Sequence, residues 1–123
     1  YWHLTSDSQL SHPARELFQE TDLGLHQILV PGIVLIEMGY LVEKGRLDAA
    51  LVDQVLVMLD TVGGSYTVAP LDQNTARAMH RIPRSAVPDM PDRIIAATAH
   101  QWGLPLITRD AKIHSAGVVT VIW

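Results

Sequence analysis

Apolar residues in this chain fall into helical and strand rhythms that alternate. Ala14, Leu17 and Phe18 share one helical face; Ser11 is a natural cap and Pro13 fits a first turn, so a helix is predicted from Ser11 to about Thr21. The polar stretch Thr5–Gln9 before it reads as a loop, and Asp22–Gly24 after it as a break. Gln27–Val30 predicts a short strand. Pro31 and Gly32 open a second helix, Ile33–Lys44, closed by Gly45. A third helix covers Leu47–Leu59, with Asp48 near its start, before Gly63 and Gly64. Ser65–Ala69 reads as a strand, Leu71–His80 as a helix, and Ile82–Pro88, with two prolines, as a loop. Met90–Trp102 is a strong helix stopped by Gly103. Leu104–Thr108 is a strand, a helical turn follows Asp110, and Val118–Ile122 is the last strand. Strands separated by helices predict an α/β fold, a parallel sheet with helices on both faces. Chemistry in such sheets lies beyond the carboxyl ends of the strands.

Length and composition narrow this picture. The 123 residues suit one domain, and a charged share of 18% means that much of the chain is buried. The absence of cysteine excludes disulfides and thiolate metal sites and permits a reducing, cytoplasmic location. The longest apolar run, Ile33–Val42, contains Glu37 and is too short to span a bilayer. No cationic segment precedes it, so no secretory signal and no membrane association are expected. The net charge of −4 argues against a protein that grips nucleic acid mainly through phosphates. It does not argue against an enzyme whose carboxylates hold metal ions, because the metal then meets the phosphate.

Four acids stand where chemistry is expected, and each also has a structural explanation. Glu37 has Ile33, Val34, Tyr40 and Leu41 one helical turn away, so its carboxylate must reach a rim, find a partner or bind a metal. Asp89 is a natural cap for the Met90 helix and Asp92 lies in its first turn, where an anion suits the dipole. Asp110 follows the Leu104–Thr108 strand, either as a cap for the next turn or as a ligand at the active edge of the sheet. Thr108 beside it is ordinary strand residue or orienting hydroxyl. Arg81, Arg84 and Arg93 surround Asp89 and Asp92 in sequence, as ion-pair partners or as phosphate contacts. The six histidines show no metal-ligand spacing; His80, next to Arg81, is the one with a phosphate-facing alternative. Nucleophile elbows and Gly-rich phosphate loops are absent.

The order of these segments is more specific than any one acid. Leu41-Val42-Glu43-Lys44-Gly45-Arg46-Leu47, four residues after Glu37, resembles the helix end of VapC-type PIN domains. Asp89-Met90-Pro91-Asp92-Arg93-Ile94-Ile95-Ala96-Ala97-Thr98-Ala99 and Gly103-Leu104-Pro105-Leu106-Ile107-Thr108-Arg109-Asp110, with Lys112-Ile113 and the closing Val121-Ile122-Trp123, resemble that family too, in order and along essentially the whole chain. The resemblance implies a PIN-like three-layer α/β sandwich. It also implies a magnesium- or manganese-dependent endoribonuclease, the toxin of a toxin–antitoxin pair, whose products carry a 5′-phosphate and a 3′-hydroxyl. By position, Glu37, Asp92 and Asp110 fall on the catalytic, metal-binding acids, expected to converge at the strand ends. Asp89, Thr108 and Arg93 take accessory places. RNA is the implied substrate, and a cognate antitoxin the implied partner. The faces around Leu17 and Phe18 and along the Ile33 helix read first as core, and otherwise as antitoxin or homodimer surfaces.

The chain departs from the family at its start. Trp2-His3-Leu4-Thr5 resembles the run just after the family's first strand, so that central strand and its aspartate are expected upstream of Tyr1. Pro31 or Val34 stands where the family often has a hydroxyl residue. On this reading the chain is an N-terminally shortened single domain of impaired activity, and the strands near residues 28 and 106 flank a gap or are pulled together. A catalytically inactive PIN-like interaction module is the alternative. A phosphoacceptor receiver domain fits less well, because Lys112 is poorly placed for one.

Overall fold

Side-chain caps set the helix boundaries. Ser11 Oγ accepts from the Ala14 N–H and starts α1, His12–Asp22. Asp48 accepts from the Ala50 N–H and starts α3, Ala49–Asp60. Asp72 accepts from the Asn74 and Thr75 N–H groups, which delays α4 to Gln73–Ala78, shorter than its apolar pattern suggests; a 3₁₀ turn, Met79–Arg81, follows it. Asp89 starts α5, Met90–Trp102, and Asp110 starts α6, Ala111–Ala116. Helix α2, Gly32–Glu43, has no side-chain cap and begins directly from the strand before it. In this computed structural model, which describes residues 3–123, the chain forms two units, Tyr1–Ala69 and Pro70–Trp123. Trp2, part of the family-like opening run, lies outside the described residues.

In the first unit, strand β1, Ile28–Pro31, pairs in parallel with β2, Tyr66–Ala69, in the register Ile28 to Tyr66 and Pro31 to Ala69. Helix α2 packs on α3, and α3 packs on β2. The fully buried apolar residues here are Leu10, Ala14 and Ala69. Leu17 and Phe18 are half-buried, and the Phe18 ring stacks on His3 with centroids 4.7 Å apart. His3 Nε2 lies 2.7 Å from Asp22 Oδ2, and the Tyr66 hydroxyl donates to Asp22 Oδ1 at 2.6 Å. Burial, and then the Asp22 carboxylate, push the Tyr66 hydroxyl well above the usual phenol range. This cluster ties the N-terminal turn to the end of α1 and to β2. The core role read for the Ile33 helix is not met within α2: no residue of it is fully buried, and Ile36 and Tyr40 are exposed. The Lys44 ammonium lies 4.3 Å from the centre of the Tyr40 ring.

The second unit holds the larger core, built from Ile82, Val87, Ala96, Ala97, Ala99, Leu106 and Ile113. Four successive residues of α5, Ala96 to Ala99, are buried, so the helix is enclosed along its middle, and its small side chains let neighbours approach. Helices α4 and α6 both pack against α5. Strand β3, Leu106–Ile107, pairs in parallel with β4, Val121–Ile122. Both are shorter than their apolar runs. The Leu104 N–H is used to close α5 on Ala99 O, with Gly103 at φ 62° supplying the left-handed turn, and Pro105 has no N–H. The first ladder bond is therefore Leu106 N–H to Thr120 O, at 2.8 Å. Among the described residues the strands form two parallel pairs, β1–β2 in the first unit and β3–β4 in the second. No helix among these residues is long and apolar enough to cross a membrane.

The Ile82 side chain is fully buried under α5, so Ile82→Ala should cost about 2–5 kcal/mol of stability. Urea unfolding measures this directly. A cost within experimental error would mean that the residue 82–87 segment does not carry the core of this unit.

Candidate active site

Helix α5 brings two acids together through its cap. Asp89 Oδ2 accepts the Asp92 N–H at 3.3 Å, so Asp89 does cap the helix. Asp110, just beyond β3, likewise caps α6, its Oδ1 accepting the Ile113 N–H at 2.8 Å. Thr108 orients Asp110 from behind: its hydroxyl oxygen accepts the Asp110 N–H at 3.1 Å. The capping explanation thus holds for Asp89 and Asp110, but each spends only one carboxylate oxygen on the cap named here.

Asp92 is different. Its side chain accepts no capping bond of its own helix, and its carboxyl is held above the ordinary aspartate range. Burial is the largest cause, followed by the charges of Asp110 and Asp89 and a side-chain hydrogen bond with Asp89. Lys112, on the first turn of α6, pulls the other way. Asp89 and Asp110 therefore both lie within reach of the Asp92 carboxyl. Lys112 is a site residue that the sequence pattern does not single out; its signal is its place two residues after Asp110.

Arg93 does not pair with the acids beside it. Its Nε donates to Ile82 O at 2.7 Å and its Nη2 to Met79 O at 3.0 Å, so its guanidinium is held by backbone carbonyls, not by the acids beside it. Arg81 and Arg84 are exposed, as is His80. Glu37 belongs to the first unit. It is half-buried on α2, among half-buried Ile33, Val34 and Leu41 and the more exposed Tyr40.

The donor chemistry of these acids suits a hard divalent cation. They offer oxygen only, and the mutual repulsion that raises Asp92 is the kind a bound cation relieves. Within each unit, among the described residues, no three His, Cys, Asp or Glu side chains form a ready-made metal cage. Magnesium does not require one, because it keeps several waters and binds proteins through one or two carboxylates.

The raised Asp92 carboxyl has a consequence for stability. A carboxyl titrating higher in the folded than in the unfolded chain stabilises the fold while protonated. That contribution is lost as pH rises through its folded-state titration, which starts in the ordinary aspartate range and extends above it. Asp92→Asn should therefore raise the Tm of the metal-free protein at neutral pH and flatten its decline above the carboxylate range. Thermal unfolding in a chelator reads this out; an unchanged or lower Tm for the variant would contradict the crowding of charge around Asp92.

Comparison with known proteins places this geometry. The PIN domain model matches residues 1–119. The chain is 27% identical over 115 residues to "Ribonuclease VapC22" of Mycobacterium tuberculosis, a match covering 94% of this chain and 84% of that protein. No solved structure matches the chain. With the family model spanning nearly its whole length, and with the acid-bearing α5 and β3–α6 segments inside that span, the chain belongs to the PIN-domain family.

Proposed function

We propose that this chain, as one PIN-like domain, belongs to a magnesium- or manganese-dependent endoribonuclease, the toxin of a VapC-type toxin–antitoxin pair acting in the cytoplasm. The observation that carries the reading is the Asp92 carboxyl, raised by burial and by the neighbouring Asp110 and Asp89, in a chain of PIN type. The named similarity to a VapC ribonuclease supports RNA as the substrate and an antitoxin as the partner; a homodimer is part of the same proposal.

In this proposal Glu37, Asp92 and Asp110 hold the ion, and Asp89 supports Asp92. Thr108 fixes the backbone of Asp110, so that the carboxylate presents its second oxygen while the first caps α6. The ion, when bound, supplies Lewis-acid charge at the phosphate and lowers the pKa of a water ligand. Asp92 must be ionised to take part, and the Lys112 ammonium favours that form. With a net charge of −4 the protein's own field repels RNA, so close approach of a phosphate depends on neutralising this acidic group.

A second reading, an inactive PIN-like interaction module, is favoured by one observation: Asp89 and Asp110 already have structural work as caps. Cleavage of a labelled single-stranded RNA separates the two. The protein should cut in magnesium and stop in a chelator. Asp92→Asn or Asp110→Asn should reduce cleavage by roughly 100-fold or more while leaving the fold intact. Equal cleavage in a chelator, or full activity of Asp110→Asn, would contradict the metal mechanism. Absence of cleavage under all conditions, with retained binding to a partner, would favour the interaction module.

A further inference from the structure

Arg93 sits beside Asp92 in sequence, yet its charge has no part among the causes acting on the Asp92 carboxyl; the cation there is Lys112. The guanidinium is turned the other way and is half-buried. It donates from Nε to Ile82 O at 2.7 Å and from Nη2 to Met79 O at 3.0 Å. Met79 opens the 3₁₀ turn after α4, and Ile82 ends it. One planar fork therefore holds two carbonyls at the end of a helical segment, where a cation is favoured; Met79 O also accepts the Ile82 N–H at 3.1 Å.

These two carbonyls begin the segment that delivers Asp89. From Ile82 the chain runs through Val87, and both side chains are buried against the small residues of α5. It then reaches Asp89, whose carboxylate accepts the Asp92 N–H and whose carbonyl accepts the Arg93 N–H at 2.9 Å. The result is a closed loop of interactions, from the Arg93 side chain to the 3₁₀ turn, through residues 82–89, and back to the first turn of α5. A lysine keeps the charge but offers no rigid fork to two carbonyls.

We propose that Arg93 is a positioning residue, which fixes Asp89 and Asp92 by clamping the segment between the 3₁₀ turn and α5, and does not contact the RNA phosphate. This rests on the metal-ribonuclease reading for its effect on activity, but the clamp itself can be judged without it. The test uses Arg93→Lys and Arg93→Met. In the metal-free chain, amide hydrogen exchange of Asp92 and Arg93 should speed up in Arg93→Met, while the Ala96–Ala99 amides of the same helix exchange as in the wild type. Arg93→Lys, which restores one donor, should fall between the two. Manganese binding by calorimetry should weaken by about 10-fold in Arg93→Met, as for loss of groups that orient metal ligands. In cleavage assays, kcat should fall, with KM for RNA and its salt dependence unchanged.

Wild-type exchange and manganese affinity in both variants, with a raised KM and a weaker salt dependence, would overturn the proposal and make Arg93 a phosphate contact. Faster exchange throughout unit Pro70–Trp123 in both variants would also overturn it, because the role would then be general stability. If the wild type neither binds manganese nor cuts, the ribonuclease reading fails, and the selective exchange of Asp92 and Arg93 still decides the clamp. Should Arg93→Met not fold, Arg93→Lys decides alone, by the same selective exchange and the same split between kcat and KM.

Discussion

A half-buried carboxyl at Asp92, beside the charges of Asp110 and Asp89, is the constraint that the second unit accommodates. Asp89, Asp92 and Asp110 come from two helix starts, and their charges meet at Asp92, whose ionised form is disfavoured by burial and by both neighbours. Folding tolerates this because each flanking acid is also a cap. The cap bonds from the Asp92 and Ile113 amides offset part of what the repulsion costs. Lys112 offsets a further part. What remains is a cluster that gains from a divalent cation, and that energetic gap links the local geometry to the proposed chemistry.

The support for this cluster is apolar and sits directly beneath it. Ile82 and Val87 press the segment before α5 onto Ala96, Ala97 and Ala99, and Ile113 of α6 joins the same core. The helix starts that carry the acids are therefore mounted on the best-packed part of the molecule, as a site that must hold its geometry requires. The first unit contrasts with this. Its helix α2, apolar on all sides, has no fully buried residue, and Ile36 and Tyr40 stay exposed.

Much of this was legible from residue types alone. The bounds of α5 follow from Asp89 as cap and Gly103 as left-handed stop, and both are found in place. The parallel strands and their alternation with helices follow from the short apolar runs between punctuating residues. The pattern overstates β3, because periodicity does not reveal that the Leu104 amide is already used by Ala99 O. It overstates α4, because Asp72 caps a later start. At the site, position in the PIN-like sequence marks Asp89, Asp92 and Asp110, but not how Arg93 points. An arginine next to an aspartate suggests an ion pair or a phosphate contact, and only three-dimensional structure shows two backbone carbonyls taking its fork. Lys112 was read only as part of the family-like run after Asp110, because its effect on Asp92 comes through space.

Metal binding by the acids around Asp92 is the central claim, and manganese broadening of amide signals tests it most directly. A nitrogen-labelled sample of the chain is titrated with substoichiometric manganese at neutral pH. If Asp92 and Asp110 hold the ion, the signals of these residues and their sequence neighbours fade first, and excess magnesium restores them. Fading that spares Asp92 and Asp110, or that magnesium does not reverse, would show that these carboxylates are caps and nothing more.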